Sequence, residues 1–218
     1  MTGTLKDQTV LIIGRGSGLA RAIALAALDA GARVVAAGRD QETLAAAYAG
    51  EPGVSTETVD LTDEGSIAAL GERLGSVDHV VSTVSARARG RLADLDRDAI
   101  RLSFDTKVIG PLMLAKHLAP RMNEGGSFVI FSGVAAAKIA VGTLGVAITN
   151  AAAATAPAVP ANVRAIRWIT DMSRSPLEGP LCGTTEEARI SHRRLSRARS
   201  TLLTSRVRAG FRLEPRIS

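Results

Sequence analysis

Residues 9–20 read TVLIIGRGSGLA. The run from Thr9 to Ile13 is apolar and rich in β-branched side chains, as in a strand buried on both faces. Glycines follow at positions 14, 16 and 18, ahead of a stretch rich in alanine and leucine. Glycines between a strand and a helix permit a sharp turn and bring backbone N–H groups close to an anion at the helix N-terminus. The segment therefore predicts a strand, a phosphate-binding turn and a helix.

Strands and helices continue to alternate as far as residue 131. The pattern predicts further strands at Arg33–Ala37, Val54–Val59, His79–Thr83 and Ser127–Phe131. It predicts helices at Leu19–Ala30, Glu42–Ala49 and Asp63–Leu74, the last capped by Thr62, and a long helix within Asp98–Pro120. Helical connections of this length favour parallel strands with helices on both faces. We therefore predict an α/β fold, a Rossmann-type doubly wound parallel sheet in three α/β/α layers, formed by a single domain.

The pattern weakens after residue 150. We expect residues 1–150 to form the dinucleotide-binding core, and residues 151–218 a divergent, arginine-rich and irregular segment packed on the same domain. Pro157 and Pro160 should end any helix near Ala156, because a proline inside a helix costs about 3 kcal/mol. Val163–Ile169 could form a sixth strand, and Arg189–Arg208 could be helical. Drift of the sequence and a reading-frame change would both explain the altered end.

Composition narrows the class of protein. Hydrophobic residues make up 46% of the 218 residues and aromatics 3%, a balance that suits parallel strands covered by alanine-rich helices. The single cysteine, Cys182, excludes an intramolecular disulfide and is compatible with a reducing cytoplasm. The first residues lack the pattern of a secretory leader, and no apolar run is long enough to span a bilayer. These features predict a cytoplasmic protein without a membrane partner.

The positive charge is concentrated at one end. Residues 1–150 carry 15 Lys and Arg against 16 Asp and Glu, whereas residues 151–218 carry 12 Arg against five acids. A basic segment can bind nucleic acid or an acidic partner, and it can also be a solvated helix. No aromatic residues are interleaved with these arginines to stack on bases, which argues against a nucleic-acid partner.

Several residues beyond the glycine turn point to NADP(H). Arg39 follows the second strand, where a guanidinium can pair with a 2′-phosphate, and Arg15 in the turn could add a second charge. The Asp60 carboxylate after the third strand could accept from the adenine amino group. Either arginine could instead be an ordinary surface residue, and Asp60 a turn aspartate. The predicted cofactor contacts are Gly14, Arg15, Gly16, Ser17, Gly18, Leu19, Arg39, Asp60, Leu61, Ser82 and Thr83.

Together these residues resemble the short-chain dehydrogenase/reductase family. The family's glycine motif TGxxxGxG corresponds to Ile13–Ala20, with Ile for the Thr and Ala for the last Gly. The family aspartate after the third strand matches Asp60. The family's Asn-Asn-Ala-Gly segment corresponds poorly to residues 82–85, Ser-Thr-Val-Ser. The resemblance covers residues 5 to about 150 and implies a nicotinamide cofactor.

The catalytic residues of that family are missing here. The resemblance places its helix Asn at Lys107 and its Ser at Gly133, next to Ser132. Its Tyr and Lys, spaced YxxxK, fall on Val146 and Asn150, and the chain's one tyrosine, Tyr48, lies on the second predicted helix. Lys107 and Ser132 are the remaining catalytic candidates for polarising a carbonyl, although a solvated lysine and a strand-end hydroxyl are equally ordinary readings.

Two hypotheses follow. The first is an NADP(H)-dependent oxidoreductase of the short-chain type, in an atypical branch that acts on a carbonyl or alcohol of a small molecule. The alternative is a catalytically inactive NADP(H)-binding protein with a sensing or scaffolding role. The three histidines show no metal-ligand spacing, so no metal site is predicted. Family members often pair through their long helices, which makes a homodimer the expected assembly.

Overall fold

The fold is known from a computed structural model, which describes residues 4–136, 141–154 and 163–169, the last range and Val134 by backbone alone. The described strands are β1 (Thr9–Ile13), β2 (Arg33–Gly38), β3 (Val54–Thr58), β4 (Val77–Ser82), β5 (Met122–Phe131) and β6 (Val163–Ile169). They form one sheet in the order β3-β2-β1-β4-β5-β6, and every neighbouring pair is parallel. This is the strand order of a doubly wound dinucleotide-binding fold, so the predicted fold class is confirmed.

Helices connect the strands and cover both faces of the sheet. They are α1 (Gly18–Asp29), α2 (Gln41–Ala47), α3 (Glu64–Leu74), α4 (Arg97–Phe104), α5 (Gly110–Leu118) and α6 (Leu144–Ala154). A π-helical turn, Asp105–Ile109, joins α4 directly to α5, so the long helix predicted within Asp98–Pro120 is present with a π-helical turn inside it. None of the described helices is long and apolar enough to cross a membrane.

The residues of β1 alternate between two hydrophobic cores. Leu11 and Ile13 pack in the core that includes residues of α3 and α5, whereas Val10 and Ile12 pack in the core that includes residues of α1 and α2. All five residues of the strand are buried. Burying each large aliphatic side chain contributes about 1.5–3 kcal/mol, so the strand that leads into the glycine turn is firmly anchored in both cores.

Helix caps explain where α2 and α3 begin. Asp40 caps α2 by accepting a hydrogen bond from Thr43 N at 2.9 Å. Asp63 caps α3 and accepts from Gly65 N at 2.9 Å. The prediction that Thr62 caps this helix was wrong, because its backbone N–H and hydroxyl both donate to Asp60 instead.

The end of the chain is described only in part. The predicted sixth strand is present as β6, paired in parallel with β5. Helix α6 is described to Ala154, so the predicted end near Ala156, like Pro157 and Pro160, lies outside the described residues. The same is true of Cys182 and of the possible helix Arg189–Arg208. The division into a 1–150 core and an arginine-rich 151–218 segment therefore remains a prediction.

Candidate cofactor and active site

The glycine turn joins β1 to α1 at the carboxyl edge of the sheet. Gly16 has φ +70° and Gly18 has φ +54°, a left-handed conformation that a side chain disfavours. Ser17 is the N-cap of α1, and its side chain makes no capping hydrogen bond to the helix. Arg15, Ser17 and Leu19 are exposed. The first N–H groups of α1 therefore begin at a solvent-facing turn, as an anion site requires.

Close packing explains why Gly14 must be a glycine. A Cβ at this position would lie 2.5 Å from Thr83 Oγ1 and 2.7 Å from Ala20 Cβ. The Gly14 N–H donates to Ala37 O at 2.9 Å, which fixes the start of the turn to the end of β2. The turn is thus a rigid cradle in which backbone, not side chains, would face a bound phosphate.

Thr83 and Ser82 close the cradle from β4. The Thr83 hydroxyl and backbone N–H both donate to Ile13 O at 3.0 Å. Ser82 is buried at the end of β4, in register with Ile13. Both residues thus lie beside the glycine turn as predicted. Because both bonds of Thr83 go to Ile13 O, Thr83 holds the end of β1 where the glycine turn begins.

The charged residues after β2 have different surroundings. The Asp40 carboxylate bonds Thr43 through both oxygens, at 2.9 Å to its N and 2.6 Å to its Oγ1. These bonds lower the pKa of Asp40 and hold it to α2. Arg39 is exposed and forms no ion pair with an acid in the described part of the chain. The guanidinium is therefore the charged group that remains available at the end of β2.

Asp60 lies after β3, close enough to Arg39 for an electrostatic interaction. Its Oδ1 accepts from Thr62 N at 2.9 Å and from Thr62 Oγ1 at 2.8 Å. Partial burial alone would raise the pKa of Asp60, but the two bonds from Thr62 and the charge of Arg39 outweigh it and lower the pKa. Asp60 is therefore an ionised acceptor with Oδ2 free of these bonds. The neighbouring Leu61 is buried against Gly110, where a Cβ would lie 2.8 Å from Leu61 Cβ.

Lys107 lies in the π-helical turn and is only 7% exposed. Burial lowers the pKa of Lys107, and the charge of Arg87 lowers it further. A π-helical turn inside an α-helix is uncommon and frequently marks a functional site. The alternative that Lys107 is a solvated helix residue is wrong, because its side chain is buried.

Ser132 and Asn150 connect the end of β5 to α6. The Ser132 hydroxyl donates to Asn150 O at 2.9 Å. Asn150 is buried, and its Oδ1 has no hydrogen-bond partner among the described residues. A Cβ at Gly133 would lie 2.8 Å from Asn150 Nδ2, so the Asn150 amide fills the space beside Gly133. Ser132 and Lys107 are not in contact through a hydrogen bond. Each adjoins α6, which packs against the π-helical turn and against Val134–Ala136.

The histidines and the tyrosine lie outside this candidate catalytic set. His79 Nδ1 lies 2.8 Å from Ser127 Oγ and its Nε2 lies 3.0 Å from Gln8 Oε1. His117 Nε2 lies 2.8 Å from Glu64, while His192 is outside the described residues. Tyr48 is buried beside Gly16, below the glycine turn. No cluster of metal-binding side chains occurs within the described ranges.

Sequence reasoning missed the arrangement around Asn150. The pattern marked Asn150 and Gly133 as departures from a catalytic set, but not as neighbours that occupy one space. The burial of Lys107 was also missed. The apolar residues that follow Lys107, Val108 and Ile109, were a signal, although helical periodicity gives the wrong face where a π-helical turn intervenes.

A family model described as enoyl-(acyl carrier protein) reductase matches residues 13–164 of this chain. Dehydrogenase/reductase SDR family member 7B of Bos taurus is 33% identical over 136 residues, 56% of this chain and 42% of its own length. The 2-keto-3-deoxy-L-fuconate dehydrogenase of Xanthomonas campestris pv. campestris is 33% identical over 133 residues, 60% of this chain and 44% of its own. The chain thus spans less than half the length of these two curated relatives.

Solved structures agree with the observed fold. A short-chain type dehydrogenase/reductase from Mycobacterium ulcerans has a TM-score of 0.63 at 30% identity, covering 68% of this chain and 59% of that one. A short-chain dehydrogenase from Escherichia coli CFT073, in complex with NADPH, has a TM-score of 0.64 at 20% identity, covering 69% and 68%, which shows a shared fold. The family match extends from the end of β1 into β6 and contains all the predicted site residues. The chain belongs to the short-chain dehydrogenase/reductase family.

Proposed function

We propose that this chain is an NADP(H)-dependent oxidoreductase that interconverts a carbonyl compound and an alcohol. The observation that carries the cofactor assignment is the contrast between Arg39 and Asp40 at the end of β2. An acid there would accept from the ribose 2′-hydroxyl of NAD(H), but Asp40 is held by Thr43 as a helix cap. The exposed Arg39 is left to pair with a 2′-phosphate.

The residues around the turn fit a dinucleotide. Gly14 and Gly16 have no room for a Cβ, and Gly16 and Gly18 have positive φ, so the backbone forms the cradle that a pyrophosphate needs. Arg15 is exposed within the turn and would add positive charge. The free Oδ2 of Asp60 would accept from the adenine amino group, with Leu61 behind it. Ser17, Leu19, Ser82 and Thr83 would line the same edge.

Lys107 is the proposed acid for the chemical step. When bound, NADPH supplies a hydride to the carbonyl carbon while the oxygen gains a proton, which yields the alcohol and NADP⁺. Lys107 would hold and release that proton, since burial has lowered its pKa toward the range useful for general acid catalysis. The Ser132 hydroxyl already donates its hydrogen bond to Asn150 O. We therefore assign Ser132 to positioning α6 rather than to donating toward the substrate.

The second candidate function is a non-catalytic NADP(H)-binding protein. It is favoured by Val146, which cannot transfer a proton at the position where the family has its Tyr, and by the engagement of the Ser132 hydroxyl. General acid–base catalysis contributes about 10²–10⁴-fold, so a chain without any proton donor would bind the cofactor and turn over little.

One experiment separates the two. NADPH and NADH are titrated by fluorescence against the full chain, and cofactor oxidation is then followed with aldehydes, ketones, quinones and an enoyl thioester. We expect tighter binding of NADPH and measurable turnover that the Lys107→Met variant loses. Tight NADPH binding with no turnover on any compound would favour the second candidate. Absence of NADPH binding would contradict both.

We also propose that the chain forms a homodimer in the cytoplasm. Leu102 on α4, Ile109 in the π-helical turn and Ile148 on α6 are 43%, 46% and 49% exposed. These elements contact one another, and we propose that the three side chains form one apolar surface for a second copy. Light scattering should give twice the chain mass, and Ile109→Asp should shift it toward the monomer. A monomeric wild-type chain would contradict the proposal.

A further inference from the structure

Lys107 is a buried lysine that has no ion pair with a carboxylate of the described residues. The side chain is 7% exposed, and its ammonium forms no ion pair or hydrogen bond with another described residue. The neighbouring carboxylate along the chain, Asp105, makes no ion pair with it either. Burying an unpaired charge is costly, so such a group is either deprotonated or matched by a charge that the protein alone does not provide.

Arg87 adds a second positive charge to the same place. The loop after β4 is tied to the π-helical turn, because Ala86 N donates to Thr106 Oγ1 at 3.2 Å and Ser103 Oγ donates to Ala86 O at 2.8 Å. Arg87 directly follows Ala86, the donor of the first of these bonds, and Lys107 directly follows Thr106, its acceptor. Arg87 is exposed and has no ion pair within the described ranges. Two basic side chains without an ion pair in the described ranges thus lie close enough for an electrostatic interaction, Lys107 buried and Arg87 exposed.

Helix α6 completes the junction with an unsatisfied amide. Ser103 Oγ lies 3.2 Å from Thr149 Oγ1, and a Cβ at Gly145 would lie 2.7 Å from Ala88 O, so α6 is packed tightly against α4 and the loop after β4. The residue next to Thr149 is Asn150, whose buried Oδ1 lacks a donor. A buried oxygen without a partner is uncommon and calls for an explanation.

We infer that the substrate is a 2-oxo acid, reduced to its 2-hydroxy acid, and that Lys107 binds its carboxylate with the help of the exposed Arg87. The inference rests on the proposed function, because it names the substrate class of that site. In a 2-oxo acid the carboxylate and the carbonyl oxygen are adjacent, so a single ammonium can contact both. The carboxylate would supply the missing anion, and the hydroxyl of the reduced acid would offer a donor of the kind that Asn150 Oδ1 lacks.

The test is binding of a charged and a neutral probe of similar size. 2-Oxobutanoate and 2-butanone are titrated by calorimetry into the full chain, with and without NADPH, and inorganic phosphate is titrated as a third probe. We expect 2-oxobutanoate to bind at least tenfold more tightly than 2-butanone, and more tightly than phosphate. Lys107→Met should weaken 2-oxobutanoate at least tenfold and Arg87→Gln several-fold. The control Lys116→Met, on an exposed lysine paired with Glu64, should change it less than twofold.

The outcomes separate this inference from the proposed function. Equal binding of the two carbonyl probes, or binding that Lys107→Met and Arg87→Gln leave intact, would overturn the 2-oxo acid while NADPH binding could still stand. Tighter binding of phosphate than of 2-oxobutanoate would assign the Lys107 ammonium to the cofactor and overturn the 2-oxo acid inference. A loss of NADPH affinity in Lys107→Met equal to its loss of 2-oxobutanoate affinity would do the same. Lysine-dependent binding of 2-oxobutanoate without any NADPH binding would support the acid site and contradict the proposed function. Circular dichroism of each variant checks the fold, and Arg87→Gln, on an exposed residue, serves if Lys107→Met fails to fold.

Discussion

The amide of Asn150 occupies the space where a side chain on Gly133 would lie, with Nδ2 only 2.8 Å from the position of a Cβ. The two residues are therefore one coupled feature of the site. A Ser at 133 alone would place its Cβ against the buried Asn150 amide, so that amide would have to move. A side chain at 133 is therefore best accommodated together with a second change at 150.

The first prediction concerns this pair. Gly133→Ser should lower the free energy of unfolding by about 1–3 kcal/mol through overpacking. In Gly133→Ser/Asn150→Ala the contact is removed, so the double variant should be more stable than the sum of the single effects by about 0.5–3 kcal/mol. Urea denaturation of the four proteins measures this coupling. Additive effects would show that the two positions do not share a space.

The second prediction concerns the glycine turn. Gly14→Ala should destabilise the protein by about 1–3 kcal/mol and abolish NADPH binding, because its Cβ would lie 2.5 Å from Thr83 Oγ1. Gly50→Ala is the matched control, since a Cβ there meets nothing within 4 Å. Thermal melting and fluorescence titration are compared for both. Equal melting temperatures for the two variants would refute the close packing at Gly14.

The third prediction follows from the unpaired charge of Lys107. Lys107→Met should raise the free energy of unfolding by about 1–3 kcal/mol, because it replaces a buried, unpaired cation by an apolar side chain of similar shape. Lys116→Met removes an exposed ion pair with Glu64 and should change stability by less than about 1 kcal/mol. Urea denaturation at neutral pH measures both. A loss of stability in Lys107→Met would mean that the ammonium has a partner within the protein.

The fourth prediction is a dependence of stability on pH. Burial lowers the pKa of His79, although the charge of Asp78 opposes the shift. The unfolded chain, with a histidine pKa of about 6.5, therefore takes up the proton first as the pH falls. The contribution of neutral His79 is complete above about pH 6.5 and is lost as the pH falls through the lower folded value.

Denaturation at pH 8, 7, 6.5 and 5.5 tests the direction of this dependence. Stability should be level between pH 8 and 7 and then decline, and His79→Gln should flatten part of the decline. His117→Gln, at a half-buried histidine beside Glu64, is the control. A wild-type protein whose stability increases as the pH falls through this range would contradict the prediction.

The strands were predictable where burial on both faces leaves a clear pattern. The predicted and observed bounds of β1 are both Thr9–Ile13, because every residue there is apolar or β-branched. The prediction for β5 began at Ser127, but the strand begins at Met122. The polar residues and glycines at 123–126 carry no strand pattern, and the register of β5 against β4 shifts across them.

The site was less predictable, because its features depend on contacts between distant segments. Thr62 and Asp63 are both good cap residues, and the choice of Asp63 reflects the bonds that Thr62 makes to Asp60. The turn Asp105–Ile109 has ordinary helical composition, so nothing in its sequence marks the change to π-helical bonding. The contact of Gly133 with Asn150 joins residues 17 positions apart and is visible only in the folded chain.

The Arg39→Asp variant tests most directly whether the Arg39 guanidinium binds the 2′-phosphate of NADP(H), as proposed above. Dissociation constants for NADPH and NADH are measured by fluorescence for the wild type and the variant. Hydrogen bonds to charged groups contribute about 1.5–3 kcal/mol, so NADPH should weaken about 10- to 150-fold while NADH changes little or tightens. Equal losses for the two cofactors, or a wild-type chain that prefers NADH, would contradict the assignment.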